Sequence, residues 1–578
     1  MSNLVSDLGG LHEYRAPERS AFIDLAWLLG LGLLVLGAGL GLRDPWPADE
    51  PRFALIARDM VASGDWLFPR VGGDWYQDKP PLFFWAIALF YALTGSLRVA
   101  FLLPSLLAAL GTLALTYDLG RRLWDRQTGF AAAFALLFTV QFSLQAHLAQ
   151  IDALLCFWTT LSLYGLCRHL LLGEGWKWYA LGGFAAGLGV ITKGVGFLPL
   201  LILVPYAIAR RRGWSLRRIE AGGWRWAIAP ATFLLAIALW LVPMLIAVAT
   251  SGDPQLAAYR DEILFQQTVK RYATAWHHNK PFYYYIGNML TLWLPLILLA
   301  PWLIGRWRER LRERDSRLLL LLGWMVLVLL FFSASPGKRG VYILPALPAF
   351  ALAAGPWLRG LSQRQDVQRT IFALALLVTL TCAGAYVALE WFAPAKAREL
   401  ELQLGLRTWL PLAFMAVIGV IGLRIYGVSR APQAWAVVLA GIWLVGGWWL
   451  MPLINDARSA RAFVERIERV AVPERELGLL AYKEQFLLYL HRPTVNFGHA
   501  RWREGPREAY DAALWLSAGP ARQLLVGQAQ LAPCFVSGLA RVEVGRTSDE
   551  VWWLVTGAPD QSCARRGDPR QAHAYPGN

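Results

Sequence analysis

Charge is what this chain has least of: Asp, Glu, Lys and Arg make up only 17% of its 578 residues, while 56% are apolar. So few charges exclude a water-soluble globule of that length. Cysteine is scarce too, five in all, which excludes a small secreted fold framed by disulfides. Cys156, Cys167 and Cys382 lie in apolar runs and read as small packing residues, whereas Cys534 and Cys563 stand in a polar tail and are the only two placed to form one disulfide. Acidic residues are outnumbered 40 to 56, giving a net charge of +16. Those positive charges lie between hydrophobic runs with no soluble domain to gather them into a groove, so no nucleic-acid partner is expected. A cleavable leader is not evident either, because the polar stretch MSNLVSDLGGLHEYRAPERS precedes a first apolar run long enough to stay as an anchor. No internal repeat of the transporter kind appears.

What the chain has in abundance is long apolar segments. Ala21 to Leu42, Trp226 to Val248, Tyr283 to Gly305 and Ile371 to Glu390 are each near the roughly 20 residues that span a bilayer as helix, the form that satisfies its own backbone in lipid. Arginine marks every second loop: Arg121, Arg122 and Arg126; Arg168; Arg210 to Arg212 with Arg217 and Arg218; Arg306 to Arg314; Arg359, Arg364 and Arg369; Arg424 and Arg430. With the N-terminus inside, all of these loops fall on the cytoplasmic face. That threading needs Pro81 to Thr94, a short aromatic run, to lie along the outer interface rather than cross. The expectation is a polytopic α-helical membrane protein of about thirteen transmembrane helices over residues 1–453, with interfacial helices in an outer loop at 43–98. Residues 454–578 alternate short apolar runs (LGLLAY, QFLLYL, RQLLVG, VWWLVTG) with Pro, Gly and charge, and read as a small soluble α/β domain on the outer side.

Unusual polar residues collect on that outer face. The first outer loop holds Asp49, Glu50, Arg52, Arg58, Tyr76, Asp78 and Lys79; Glu50-Pro51 suits a helix start with Asp49 or Glu50 as cap. Asp152, Lys193, Lys338 and Arg339 are charges wedged between apolar runs, where burial is costly unless the group is paired or used. A third outer loop adds Arg260, Lys270, Arg271, His277 and His278 beside Tyr283 to Tyr285, tyrosines that an interfacial belt also explains. His277 with Asp78 is the candidate for a divalent metal such as zinc; no cofactor is otherwise required. Carboxylates and cations on one membrane rim fit displacement at a sugar carbon with a lipid-bound phosphate as leaving group. Lys79, Arg271, Lys338 and Tyr342 would neutralise that phosphate, and Asp49 would face the acceptor or the sugar.

The DE pair at Asp49 and Glu50, DKPP from Asp78 to Pro81, Asp152 in its LxxxD context, TKG at Thr192 to Gly194 and GKxxxYxLP from Gly337 to Pro345 resemble, in this order, the lipid-linked-sugar glycosyltransferases of the GT-C type, in the branch of the protein O-mannosyltransferases. WPADEPRFALIARDMVASGDW and VKRYATAWHHNKPFYYY are similar to outer loops of the bacterial 4-amino-4-deoxy-L-arabinose transferases that modify lipid A. The resemblance covers about Pro47 to Pro345, with Asp78 standing where the family has Glu. It implies a GT-C-like, inner-membrane, periplasm-facing, inverting enzyme that moves aminoarabinose from undecaprenyl phosphate to a lipid A phosphate and so weakens cationic peptides such as polymyxin. Asp49 and Asp152 are then the candidate catalytic carboxylates, with Glu50, Arg58, Tyr76, Asp78 and Lys193 around the substrates, and a monomer is expected. Transfer of another polyprenyl-linked sugar to a lipid or protein hydroxyl is the alternative. Lipid transport is disfavoured, because the informative charges gather at one end of the spans and not at the bilayer midplane.

Overall fold

A computed structural model describes residues 18–577 apart from 218, 220–222, 265–279, 407, 500, 502–504 and 548–549. The apolar runs form helices, as a backbone in lipid requires. Among the described residues, six helices are long and apolar enough to cross a membrane: Leu97–Leu123, Gly223–Ser251, Ser316–Ala334, Gly340–Leu361, Gln365–Phe392 and Val428–Val470. Two bent pairs raise the number to eight, Arg126–Leu137 with Val140–Ala146 and Tyr284–Leu292 with Leu296–Arg312. The second pair departs from expectation, since Tyr283 to Gly305 reads as one straight span but turns by 104°. Pro295 lies at the break, where its missing N–H and its ring both oppose helix.

Helix Ile151–Leu170 is buried along almost its whole length and packs against Leu103–Leu123 and Trp176–Thr192. Two polar side chains on its path bond to neighbouring helices: Ser162 donates to Gly182 O at 2.7 Å and Tyr164 to Asp118 at 2.6 Å. Being central, it holds its first-turn Asp152 in a fixed place. The turn that follows the first helix, Glu18–Leu36, meets helix Val428–Val470 backbone to backbone. Gly39 has a φ of +82°, and a Cβ there would come within 2.5 Å of the Gly447 carbonyl oxygen, so only glycine fits.

Pro81 to Thr94 is a helix of thirteen residues, Leu82–Thr94. Its inward face, Phe83, Phe84, Ile87 and Ala88, packs on helix Glu50–Ser63, with Phe53 centred 5.6 Å from Phe83, while Leu89 and Leu93 are exposed.

Two short antiparallel strands, β1 (Arg70–Val71) and β2 (Asp74–Trp75), lie in the first outer loop, and the tail carries a six-stranded sheet: β3 (Glu476–Leu479), β4 (Thr494–Asn496), β5 (Arg522–Gly527), β6 (Leu539–Thr547), β7 (Glu550–Gly557) and β8 (His573–Tyr575), in the order β6-β7-β5-β3-β4-β8. The β4-β3-β5 centre is parallel and both flanks are antiparallel. One face of the sheet packs on helix Arg507–Ser517 around Phe497, Trp515, Leu524 and Val555. The other shares a core with the first outer loop, where Leu477, Phe486 and Trp552 join Phe53 and Phe83. LGLLAY, RQLLVG and VWWLVTG hold strands, but QFLLYL forms the short helix Glu484–Leu487 and the turn after it. Cys534 and Cys563 are joined as a disulfide, their Cα atoms 5.7 Å apart.

Candidate active site

Charge pins the chain that leads out of the first helix. Arg43 and Asp44 are each 1% exposed. Arg43 grips both oxygens of Glu50, which also accept from the backbone N–H groups of Trp46 (2.9 Å) and Ala149 (3.0 Å). Asp44 accepts from Arg98 (2.7 Å), Arg461 (3.1 Å) and Asn455 (2.9 Å). Burial pushes the Asp44 carboxyl up, but Arg98, Arg461 and Asn455 outweigh burial and hold it well below the usual carboxylate range. Glu50 therefore closes a loop inside the protein. Its hydrogen bonds do not go to the rim where substrate contact was expected.

Asp49 is turned the other way. It stands at the N-cap of helix Glu50–Ser63 without making the capping bond that the Glu50-Pro51 start suggests, and its carboxylate faces the Arg339 guanidinium at 3.6 Å. Next to it, Tyr76 is 5% exposed and lies under the Arg52 guanidinium, 6.0 Å from the ring centre. Burial raises the Tyr76 phenol above its ordinary value, Asp78 and Asp49 raise it further, and Arg52 opposes. Asp78 is exposed, and the Lys79 ammonium donates to its carbonyl at 2.9 Å.

The loop from Pro336 to Pro345 links these groups to the centre of the bundle. Lys338 is 4% exposed, its ammonium held by the carbonyls of Ser335 (2.5 Å) and Lys280 (3.0 Å). No carboxylate neutralises it among the described residues. Tyr342, one turn on, offers its ring to the Lys193 ammonium at 4.4 Å, and Lys193 in turn donates to Asp152 at 2.5 Å. The backbone fixes the loop as well, since the Gly340 carbonyl accepts from Gln141, which accepts from Trp293. Asp49, Arg339, Tyr342, Lys193 and Asp152 thus form one connected rim.

Arg271 and His277, expected at the phosphate and at a metal, and their neighbours Lys270 and His278, lie outside the described residues. Among the described residues no three His, Cys, Asp or Glu side chains are grouped to hold a metal ion. Arg58, expected around the substrates, instead faces the C-terminal unit: it donates to the Leu487 carbonyl (3.1 Å) and the Tyr575 hydroxyl (2.5 Å).

Relatives of this architecture carry similar sequence. The family model for dolichyl-phosphate-mannose-protein mannosyltransferase matches residues 78–247, and that for the Alg9-like mannosyltransferase family matches residues 269–400. An undecaprenyl phosphate-alpha-4-amino-4-deoxy-L-arabinose arabinosyl transferase of Pseudomonas fluorescens is 30% identical over 483 residues, 80% of this chain and 78% of that one. The chain belongs to this arabinosyl transferase family. A second member, from Sodalis glossinidius, is 30% identical over 76% of this chain and 79% of its own. One from another Pseudomonas fluorescens strain reaches 35% over 57% of this chain, a match spanning 59% of that relative's length. The crystal structure of ArnT from Cupriavidus metallidurans bound to undecaprenyl phosphate shares the fold, with a TM-score of 0.72 and 21% identity over 96% of this chain and 100% of that one.

In this family member sequence reasoning placed Arg52 on the outer loop but passed over its partners in the C-terminal unit. Arg52 reaches into the C-terminal unit to pair with Glu484 at 2.8 Å, and His499 approaches the same carboxylate at 3.6 Å. The His499 backbone N–H donates to Asp74 in the first outer loop. Arg43 and Asp44 left a sequence signal too, a charged pair at the mouth of an apolar run, where an unpaired charge is costly.

Proposed function

We propose that this chain transfers 4-amino-4-deoxy-L-arabinose from undecaprenyl phosphate to a phosphate of lipid A. It would act in the bacterial inner membrane, as a monomer of about thirteen crossings with its reactive rim facing the periplasm. The observation that carries the reading is the joined rim of Asp49, Arg339, Tyr342, Lys193 and Asp152 in a chain of the arabinosyl transferase family.

Transfer breaks the bond between the anomeric carbon and the donor phosphate, and negative charge grows on the leaving oxygen. Cations and a phenol held in place beforehand lower that barrier without reorganising. Lys79, Lys338 and Tyr342 take this part, together with Arg271. Buried Lys338 counts most, since a low-dielectric setting strengthens its pull on an anion. An acceptor phosphate is already ionised and needs no base, so Asp49 serves to position the acceptor or to stabilise positive charge on the sugar. Direct displacement inverts the anomeric carbon. Asp152 is the second carboxylate of the site, held by Lys193. A divalent metal at Asp78 and His277 is a further proposal, and chelation during the transfer assay tests it.

Lipid A mass spectrometry decides the matter. Cells that depend on this chain gain the aminoarabinose mass increment and resist polymyxin. Asp49→Asn, expressed to the same level, reduces the increment at least ~100-fold, within the range that positioned acid-base or electrostatic groups supply. Lipid A left unmodified by the unaltered chain, with new mass on glycoproteins instead, would overturn the choice of acceptor.

A further inference from the structure

At the arginine-rich end of the bundle, away from the rim, lies a cavity of about 570 Å³. Helix Leu347–Leu361 fixes the distance: it begins just after the Pro345 of the rim loop and carries Arg359 twelve residues on, about 18 Å at 1.5 Å per residue. The cavity is a trough with one polar end. Phe130, Phe134 and Phe138 line it along helix Arg126–Leu137, opposed by Leu299, Ile371 and Trp435, so its floor also runs about 18 Å from mouth to end. Trp435 closes the far end by donating to the Phe138 carbonyl at 2.8 Å.

At the mouth stand Arg126 and Arg359. Arg126 is taken by Asp24, with bonds of 2.5 and 3.0 Å. Arg359 is exposed and donates to the neutral Gln127 side chain; among the described residues no carboxylate pairs with it. An apolar trough open at the surface of a membrane protein does not stay empty, because lipid chains surround it and fill space at no hydrophobic cost. Its single charged end selects for a negative headgroup.

We infer that this trough binds one anionic phospholipid from the arginine-side leaflet, its acyl chain along Phe130 to Phe138 and its phosphate on Arg359. The site is separate from the transfer rim and does not rest on the transfer reaction. Its occupant is ordinary bilayer lipid, identified by chain and charge.

The full-length protein, purified in detergent and stripped of lipid, is mixed with dioleoyl phosphatidylglycerol or dioleoyl phosphatidylcholine and followed by native mass spectrometry and thermal unfolding. Phosphatidylglycerol is expected to remain bound at roughly tenfold higher occupancy and to raise the midpoint, since one charge-assisted contact supplies about that factor. Arg359→Ala brings phosphatidylglycerol down to the phosphatidylcholine level, Arg359→Lys retains most of it, and Ala135→Leu, which narrows the trough, lowers retention of both lipids. Equal retention of the two lipids by the unaltered protein, or no loss in Arg359→Ala that elutes as a single species, overturns the proposal.

Discussion

Lys193 sits between a carboxylate and an aromatic face, with Asp152 at 2.5 Å and the Tyr342 ring centre at 4.4 Å. Both charged side chains are largely out of water, 13% and 11% exposed. Breaking such a pair from one side strands the other charge at a cost of about 3–5 kcal/mol, whereas removing both charges is often neutral. Lys193→Met is therefore expected to lower the unfolding midpoint and abolish transfer. The double variant Asp152→Asn/Lys193→Met regains the midpoint while staying inactive; a double variant as unstable as the single one would show that the pair is not coupled. Thermal unfolding beside a transfer assay separates the two effects.

Sequence could find these residues but not apportion them. Asp49 and Glu50 are neighbours, both acids on a predicted outer loop, one expected as a catalytic carboxylate and the other at the substrates. One turns out to Arg339 and the other in to Arg43, because Ala149, about a hundred residues on, presents its N–H on the inner side. That choice is made by tertiary contact. Asp152 and Lys193 were legible for the opposite reason: a charge inside an apolar run has few innocent explanations.

Helix Glu50–Ser63 is held from both ends of its length. Asp49 leads it at the rim, and Arg52 and Arg58 tie it to the C-terminal unit. At the Arg52 tie, burial pushes the Glu484 carboxyl up, but Arg52 and His499 outweigh it and hold it below its ordinary value. Burial lowers the His499 imidazole; Glu484, Asp74 and Asp78 oppose this, and Arg52 adds to it. As pH falls below about 6.5 the unfolded chain takes up the His499 proton first, so the folded state loses stability that is fully present above that value. Glu484 acts in the same direction further down, below about 4.5. Docking of the sheet on the outer loop should loosen between about pH 7.5 and pH 5.5, seen as faster amide exchange in β3 and β4, and His499→Gln should flatten the dependence. Exchange that is equally pH-dependent in His499→Gln would place the titrating group elsewhere. Arg52 to Glu484 spans 432 residues of sequence, and no local pattern announces a pairing of that reach. Three of the six strands of that sheet were legible, because LGLLAY, RQLLVG and VWWLVTG are apolar runs bounded by turn residues; QFLLYL, apolar without period, did not reveal which form it takes.

At the scale of the whole molecule, the C-terminal unit owns one core and shares the other with the membrane part. Cys534–Cys563 lies wholly in the unshared core, closing a stretch of 29 residues. Cross-linking a loop of that size stabilises by about 3.6 kcal/mol in the chain-entropy account. Cys534→Ser/Cys563→Ser should lower the unfolding midpoint of the sheet and raise its protease sensitivity. Transfer at low temperature should be nearly unchanged, because the shared core and the Arg52 tie remain; a loss of transfer with the sheet still folded would contradict that division.

The first outer loop is held by Asn455 and Arg461 through Asp44, and Gly39 lies against Gly447. On the ribosome, those later residues emerge only after some four-fifths of the polypeptide has been made. Until then the strap behind Asp49 is held only by the bonds of Arg43 and Ala149 to Glu50 and of Arg98 to Asp44, so a half-synthesised chain, already threaded through the bilayer, fixes the leading end of its rim less firmly than the finished one.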